Sequence, residues 1–293
     1  MKILVTGANG QVGHCLKEQL DESNIPFVAF TREQLDITNA AAVDQAIQDE
    51  RPTIVINAAA YTAVDKAETD PENAFAINRD GSANLARASA RIGAPIFHIS
   101  TDYVFAGDKA SPYQESDSTN PQGVYGHSKL AGEEAVIAAN PKHIILRTAW
   151  VFGEHGNNFV KTMIRLGRTR DTLGIVADQQ GSPTYAGDIA NALITMADIY
   201  NNSDELPWGI YHYSGAPYTH WHEFAKHIFQ QVEKAGLYES SIPTLNAITT
   251  QDYPTPAKRP ANSRLDCNKI VQTFGIEPSN WQQALHNIHA YQD

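Results

Sequence analysis

Residues 2–20 of the chain read KILVTGANGQVGHCLKEQL, and this stretch decides the fold. Ile3 to Val5 is typical of a buried strand, and Val12 to Leu20 has the apolar spacing of a helix. The turn between them carries a G-x-x-G-x-x-G pattern formed by Gly7, Gly10 and Gly13. Backbone N–H groups of such a turn can approach a pyrophosphate, and the N-terminus of the following helix favours an anion. The stretch therefore predicts the phosphate-binding turn of a dinucleotide-binding fold.

The alternation of apolar strands and amphipathic helices continues to about residue 150. Further strands are predicted at Phe27–Phe30, Ile54–Ile56, Ile96–Ile99 and Ile144–Arg147. Continuous apolar strands separated by helices indicate a parallel sheet covered on both faces. We therefore expect an α/β protein with a Rossmann-type, doubly wound parallel sheet.

Beyond Trp150 the rhythm loosens and loop-forming residues become frequent. The spacing predicts one amphipathic helix over Thr219 to Lys234. We expect residues 1–150 to form the NAD(P)-binding domain. Residues 151–293 should form mainly a smaller substrate-binding lobe, with segments that return to the sheet.

Composition restricts the partners and the compartment. A formal net charge of −11 argues against nucleic acid and anionic membranes, because both require a basic face. No apolar run reaches the ~20 residues that span a bilayer. Two cysteines, Cys15 and Cys267, cannot form a disulfide framework and are expected to be reduced thiols. These observations predict a cytoplasmic protein.

The end of the second strand bears on the choice of cofactor. An acidic residue there would hold the ribose hydroxyls of NAD, but the strand ends in Phe30-Thr31-Arg32. The Arg32 guanidinium suits a 2′-phosphate, which favours NADPH over NADH. A solvated loop position is the alternative for Arg32, and NADH remains open.

Tyr125 and Lys129 are four residues apart and therefore share a helix face. A tyrosine pKa is ordinarily about 10, and we expect the Lys129 ammonium to lower it by stabilising the phenolate. Tyr125 would then donate a proton to a developing alkoxide. Thr101 follows the strand Ile96–Ile99, where its hydroxyl would hydrogen-bond the substrate oxygen; the alternative is that it only caps the strand end.

Longer motifs accompany these residues over nearly the whole chain. They are Leu35-Asp36-Ile37-Thr38, residues 57–68 (NAAAYTAVDKAE), residues 100–105 (STDYVF), Arg147-Thr148-Ala149-Trp150, residues 156–159 (GNNF), residues 178–184 (DQQGSPT) and Lys258-Arg259-Pro260. With them the chain resembles the extended short-chain dehydrogenase/reductases. The resemblance implies NADPH- or NADH-dependent reduction of the C4 ketone of dTDP-4-dehydro-L-rhamnose to dTDP-L-rhamnose. We expect a monomer or homodimer.

The resemblance also implies a role for each matching position. Tyr125, Lys129 and Thr101 would be the catalytic residues. Together with the Gly-rich turn and the Arg32 guanidinium argued above, the resemblance predicts cofactor contacts at Gly7, Gly10, Gln11, Val12, Gly13, Arg32, Asp36, Ile37, Ala58, Ala59, Ala60, Tyr61, Thr62, Tyr125 and Lys129. The dTDP-sugar would contact Thr101, Asp102, Trp150, Asn158 and Arg259.

Three other functions are alternatives to reduction. A dehydratase is disfavoured, because its second carboxylate would follow Asp102, where this chain has Tyr103. A sugar-nucleotide epimerase with tightly held NAD remains an alternative. So does a non-catalytic relative that binds NADP, such as the regulatory subunit of methionine adenosyltransferase.

No metal is expected, because the histidines between residues 212 and 227 lack the spacing of metal ligands.

Overall fold

The computed structural model describes residues 1–239 and 241–292. Its strands are β1 Ile3–Thr6, β2 Phe27–Phe30, β3 Ile54–Asn57, β4 Ile96–Thr101, β5 His143–Thr148, β6 Val151–Phe152, β7 Thr172–Val176, β8 Gln180–Gly181, β9 Thr184–Tyr185, β10 Gly209–His212, β11 Thr219–His220 and β12 Thr244–Ile248. Its α-helices are α1 Gln11–Glu22, α2 Ala40–Glu50, α3 Val64–Ala67, α4 Pro71–Phe75, α5 Ser82–Arg91, α6 Val124–Ala139, α7 Phe159–Gly167, α8 Ala186–Ser203, α9 Trp221–Lys234, α10 Asn268–Phe274 and α11 Trp281–Ala284. A π-helix spans Ala76–Gly81, and 3-10 helices span Asp102–Val104, Thr250–Asp252 and Leu285–Tyr291.

Six strands form one sheet in the order β10-β5-β4-β3-β1-β2, and every neighbouring pair is parallel. Alternate residues of a strand face opposite sides of the sheet. Ile3 and Val5 accordingly pack with α1 and α8, whereas Leu4 packs with α2 and α5. Both faces are buried, which explains the uninterrupted apolar runs in the sequence. The predicted Rossmann-type α/β fold is confirmed.

The second half of the chain contributes to two cores. Helix α8 packs against α1, and β10 pairs with β5 at the sheet edge. A separate apolar cluster joins α7 and α9 to the segment after α11, with members that include Phe152, Phe224, Phe229, Trp281 and Tyr291. Each fully buried aromatic or aliphatic side chain contributes roughly 1.5–3 kcal/mol, so both clusters are substantial stabilising units.

The predicted helix over Thr219 to Lys234 begins later than expected. Thr219 and His220 instead form β11, which pairs antiparallel with β8. The helix starts at Trp221 because His220 occupies its N-cap position, where the ring Nδ1 accepts a hydrogen bond from the Glu223 amide at 3.2 Å. A histidine ring in this role is not part of the usual N-cap pattern of Ser, Thr, Asp and Asn.

Within residues 1–239 and 241–292, no helix combines the length and the apolar character that a membrane crossing requires.

Candidate active site

A cavity of about 860 Å³ opens at the carboxyl ends of β1, β3, β4 and β5. Ligands bind at this edge of open parallel sheets, because the βα turns and helix N-termini converge there. Most of the residues predicted from the sequence line it. They are Gly7, Gly10, Gln11, Val12, Arg32, Asp36, Ile37, Ala58, Ala59, Ala60, Tyr61, Thr62, Thr101, Asp102, Tyr125, Lys129 and Trp150.

The Gly-rich turn lies at one end of the cavity and fits a dinucleotide. Gly7 has a φ of +74°, and a Cβ there would lie 2.6 Å from the backbone of Ala58. Gly13 does not line the cavity; a Cβ on it would lie 2.1 Å from the Gly7 carbonyl oxygen. Glycine is therefore required at both positions for the turn to close over β3 and α1. The exposed N-terminus of α1 at Gly10 is left free to face an anion.

Asn158 lies beside this turn rather than in the cavity lining. Its side-chain amide donates to Gln11 Oε1 at 3.0 Å and to the Gly153 carbonyl at 2.7 Å. Its own oxygen accepts from the Lys161 amide and caps α7. Asn158 thus connects the phosphate-binding turn to the second half of the chain, and its contact with the substrate stays a prediction.

Arg32 and Asp36 form the opposite rim of the cavity, and both side chains are exposed. The Asp36 carboxylate accepts hydrogen bonds from the Thr38 amide at 3.0 Å and the Thr38 hydroxyl at 2.8 Å. These bonds lower the pKa of Asp36, with a smaller contribution from the charge of Arg32. The arginine at this rim remains a candidate for a 2′-phosphate.

We expect Arg32→Ala to raise the KM for NADPH about tenfold and to change the KM for NADH by less than about twofold, because a charge-assisted phosphate contact is lost only with NADPH. Steady-state kinetics with each cofactor at saturating keto-sugar measures both constants. Arg170→Ala, an exposed arginine outside the cavity lining, is the control. Equal changes for the two cofactors would remove the 2′-phosphate assignment.

Helix α6 brings Tyr125 and Lys129 to the floor of the cavity. Lys129 is buried, and its Nζ donates to the carbonyl oxygen of Ile99 on β4 at 2.7 Å. Burial lowers the pKa of Lys129 to about 8, and the negative charge of Glu133 opposes that shift. A fraction of this amine therefore loses its proton just above neutral pH.

The expected lowering of the Tyr125 pKa by Lys129 is wrong for this structure. Burial raises the pKa of Tyr125, with smaller increases from the charges of Asp102 and Tyr103. A side-chain hydrogen bond with Thr101 opposes the rise. Desolvation of the phenolate outweighs every favourable interaction, so Tyr125 keeps its proton at neutral pH, as a proton donor must.

Thr101 and Asp102 lie where β4 passes into the 3-10 helix Asp102–Val104. The Thr101 hydroxyl donates to Asp102 Oδ1 at 3.0 Å and accepts from the Tyr103 amide at 3.2 Å. Thr101 thus caps this short helix while it also lines the cavity beside Tyr125. Burial raises the pKa of Asp102 to about 6, and hydrogen bonds from Ser263 and Thr101 oppose the rise.

Arg259 does not line the cavity. Its Nη2 pairs with Asp65 Oδ2 at 2.7 Å, and the Asp65 Oδ1 accepts from the Ala257 amide at 3.1 Å. This ion pair attaches the segment around Arg259 to α3. A phosphate contact by Arg259 stays a prediction.

A buried ionic network behind the cavity was not predicted from the sequence. Glu133 accepts from Arg147 Nε at 2.9 Å and Nη2 at 2.6 Å, and from the Ser100 hydroxyl at 2.5 Å. Glu133 and Arg147 are both almost fully buried. The sequence pattern could have indicated Glu133, because Tyr125, Lys129 and Glu133 are spaced at i, i+4 and i+8 on α6 and therefore share one helix face.

In the described part of the chain, no three His, Cys, Asp or Glu side chains are grouped to hold a metal ion. Two of the histidines near residue 220 have other partners: His220 caps α9, and His227 Nδ1 lies 3.1 Å from the Glu223 carbonyl.

The parallel sheet, the Gly-rich turn and the Tyr125, Lys129 and Thr101 cluster define the extended class of short-chain dehydrogenase/reductases. Within that class, the chain belongs to the family described as "RmlD substrate binding domain", which matches residues 1–292.

Named relatives agree with this assignment. The chain is 50% identical over 291 residues to a dTDP-4-dehydrorhamnose reductase of Aggregatibacter actinomycetemcomitans, with 99% of each chain covered. It is similar to the crystal structure of a dTDP-4-dehydrorhamnose reductase of Clostridium acetobutylicum, with a TM-score of 0.90, 42% identity and 98% and 97% coverage. It is also similar to that of the Bacillus anthracis reductase in complex with NADP, with a TM-score of 0.89, 38% identity and 98% coverage of each chain.

Proposed function

We propose that the protein is an NADPH-dependent oxidoreductase that reduces the C4 ketone of dTDP-4-dehydro-L-rhamnose to dTDP-L-rhamnose. One observation carries the proposal: Tyr125, Lys129 and Thr101 line the same cavity as the Gly-rich turn. Relatives at 50% and 46% identity carry the name of this reductase, and the Bacillus anthracis structure contains NADP. NADH is the alternative cofactor.

The three catalytic candidates would divide the work as follows. NADPH, when bound, supplies a hydride to the carbonyl carbon. Tyr125, which keeps its proton at neutral pH, donates it to the ketone oxygen as negative charge develops there. Lys129, charged below pH about 8, stabilises the phenolate that remains. The Thr101 hydroxyl, which donates to Asp102 Oδ1 in this structure, would turn to donate to the ketone oxygen instead.

The lobes and the partners are proposed on the same basis. Residues 1–150 carry the cofactor site, and residues 151–293 form mainly the substrate lobe. Helix α8 and strand β10 pack into the sheet, which supports the proposed return of the second segment. A cytoplasmic location is supported by the two free, buried thiols of Cys15 and Cys267. We propose a monomer or homodimer.

The proposal is tested by following nicotinamide absorbance with dTDP-4-dehydro-L-rhamnose as substrate. The expected result is stoichiometric oxidation of NADPH and formation of dTDP-L-rhamnose. Purification with one tightly held NAD, and epimerisation without net oxidation, would favour the epimerase instead.

The pKa of Lys129 predicts the pH dependence of the reaction. Because the ammonium is the active form, kcat/KM should fall as the pH rises through about 8. The profile is measured between pH 6 and about 10 at constant ionic strength.

Lys129→Arg is the matched control, because a guanidinium keeps its charge over this range. Its residual activity should be lower but flat above pH 7. If kcat/KM of Lys129→Arg fell at high pH as it does in the wild type, the decline would be caused by a group other than Lys129.

A further inference from the structure

Trp150 has a backbone conformation that a bulky residue rarely adopts. Its φ is +49°, in the left-handed region that favours glycine, and it connects β5 to β6. Such strain persists only where surrounding contacts determine the conformation, and it concentrates at functional sites. Trp150 also lines the cavity, and two contacts hold its side chain there.

The first contact comes from the N-terminus of α9. The rings of Trp150 and Trp221 are stacked, with centroids 3.5 Å apart and planes inclined by 12°. Trp221 is itself supported by Phe159, whose ring centroid lies 4.7 Å away. The indole of Trp150 is therefore held by an aromatic cluster that belongs to the second half of the chain.

The second contact comes from Gly181 on β8. A Cβ on Gly181 would lie 2.3 Å from Trp150 Cε2 and 2.4 Å from Cζ2, so the indole lies directly against this backbone. Gly181 pairs with Thr219 in the β8–β11 ladder, two residues before Trp221. This pairing places the glycine and the second tryptophan beside the same indole. The Trp150 carbonyl accepts from the Thr184 amide at 3.1 Å and anchors the backbone.

We propose that Trp221 and Gly181 are positioning residues that hold the Trp150 indole as a rigid wall of the sugar-nucleotide site. The inference rests on the proposed function and extends it to residues outside the cavity lining. Because the wall is preorganised, binding of the sugar nucleotide does not have to order it. Loss of the stack should therefore weaken binding of the sugar nucleotide more than it slows the chemical step.

The test uses Trp221→Leu, which keeps the side chain apolar but removes the ring, and Trp221→Phe, which keeps an aromatic ring. Stacked indoles produce an exciton couplet in the far-ultraviolet circular dichroism spectrum, so the stack is measured separately from activity. Trp208→Phe is the matched control, because Trp208 packs against Tyr200 instead. Gly181→Ala is a further variant that displaces the indole from the other contact.

We expect Trp221→Leu to lose the couplet and to raise the KM for the keto-sugar and the Kd for dTDP ~5- to 10-fold, while kcat and the Kd for NADPH stay within about twofold. Trp221→Phe should lose the couplet but restore KM to within about twofold, and Gly181→Ala should raise KM as Trp221→Leu does. The control should retain both the couplet and KM.

The proposal is overturned if Trp221→Leu loses the couplet and keeps a wild-type KM. It is equally overturned if kcat and NADPH binding fall in parallel with KM, because that pattern indicates general damage to the lobe. Binding of dTDP is measured by calorimetry without turnover. A wild-type protein that binds dTDP but does not oxidise NADPH would therefore contradict the proposed function and leave this test intact.

Discussion

Replacing Tyr125 by phenylalanine is expected to lower kcat roughly 10²- to 10⁴-fold, because the variant lacks the proton donor. The phenol donates to the ketone oxygen while charge develops there, and water is a poor substitute in a buried site. The ring itself remains, so the Kd for NADPH should change by less than about twofold. Single-turnover reduction at saturating NADPH measures the chemical step directly.

Tyr103→Phe is the matched control for this variant. Its ring lies edge-on to Tyr125 with centroids 5.4 Å apart, and it also lines the cavity. Burial raises the pKa of Tyr103 to about 12, so it too carries its proton at neutral pH. If Tyr103→Phe rather than Tyr125→Phe abolished the chemical step, the proton donor would be reassigned to the neighbouring phenol.

The sequence was sufficient to predict the structure at positions where the local pattern and the tertiary packing require the same residues. The glycines at Gly7 and Gly13 were predictable, because their spacing between a strand and a helix matches a backbone approach in which no side chain fits. The first five strands were predictable because burial on both faces requires continuous apolar residues. Tyr125 and Lys129 followed from helical spacing combined with this context.

The sequence was insufficient where tertiary burial sets the outcome. The direction of the Tyr125 pKa shift could not be obtained from the spacing to Lys129, because desolvation depends on the residues that close over both side chains. The role of Trp221 was also hidden. Its spacing on α9 indicated a core residue, whereas the β8–β11 pairing turns its ring toward Trp150.

Glu133 shows how the buried network could serve the site rather than the fold. Taking a carboxylate and a guanidinium out of water costs free energy that their attraction only partly returns, so a buried pair is weak evidence for stability. In this protein Glu133 lies one helical turn beyond Lys129 on α6, and its negative charge raises the Lys129 pKa that burial lowers. The network therefore keeps more of the lysine charged at neutral pH.

Glu133→Gln should consequently have two separable effects. The buried Arg147 charge loses its partner, and we expect the free energy of unfolding to fall by about 3–5 kcal/mol, measured by urea denaturation. Removal of the negative charge should also lower the pKa of Lys129. The alkaline decline of kcat/KM should then begin at a lower pH than the value of about 8 expected for the wild type.

The double variant Glu133→Gln/Arg147→Met distinguishes these effects. Methionine fills the space of the arginine stem without a charge, so most of the lost stability should return. The fall of kcat/KM should still begin at a lower pH than in the wild type. Glu133 is the charge that raises the pKa of Lys129, and Arg147 is not among the causes of that pKa shift. The double variant keeps the other groups near Lys129, including Tyr125 and His98. His98 is a neutral imidazole, because burial and the charge of Lys129 lower its pKa. A stable double variant with the wild-type pH profile would show that Glu133 acts on the fold alone.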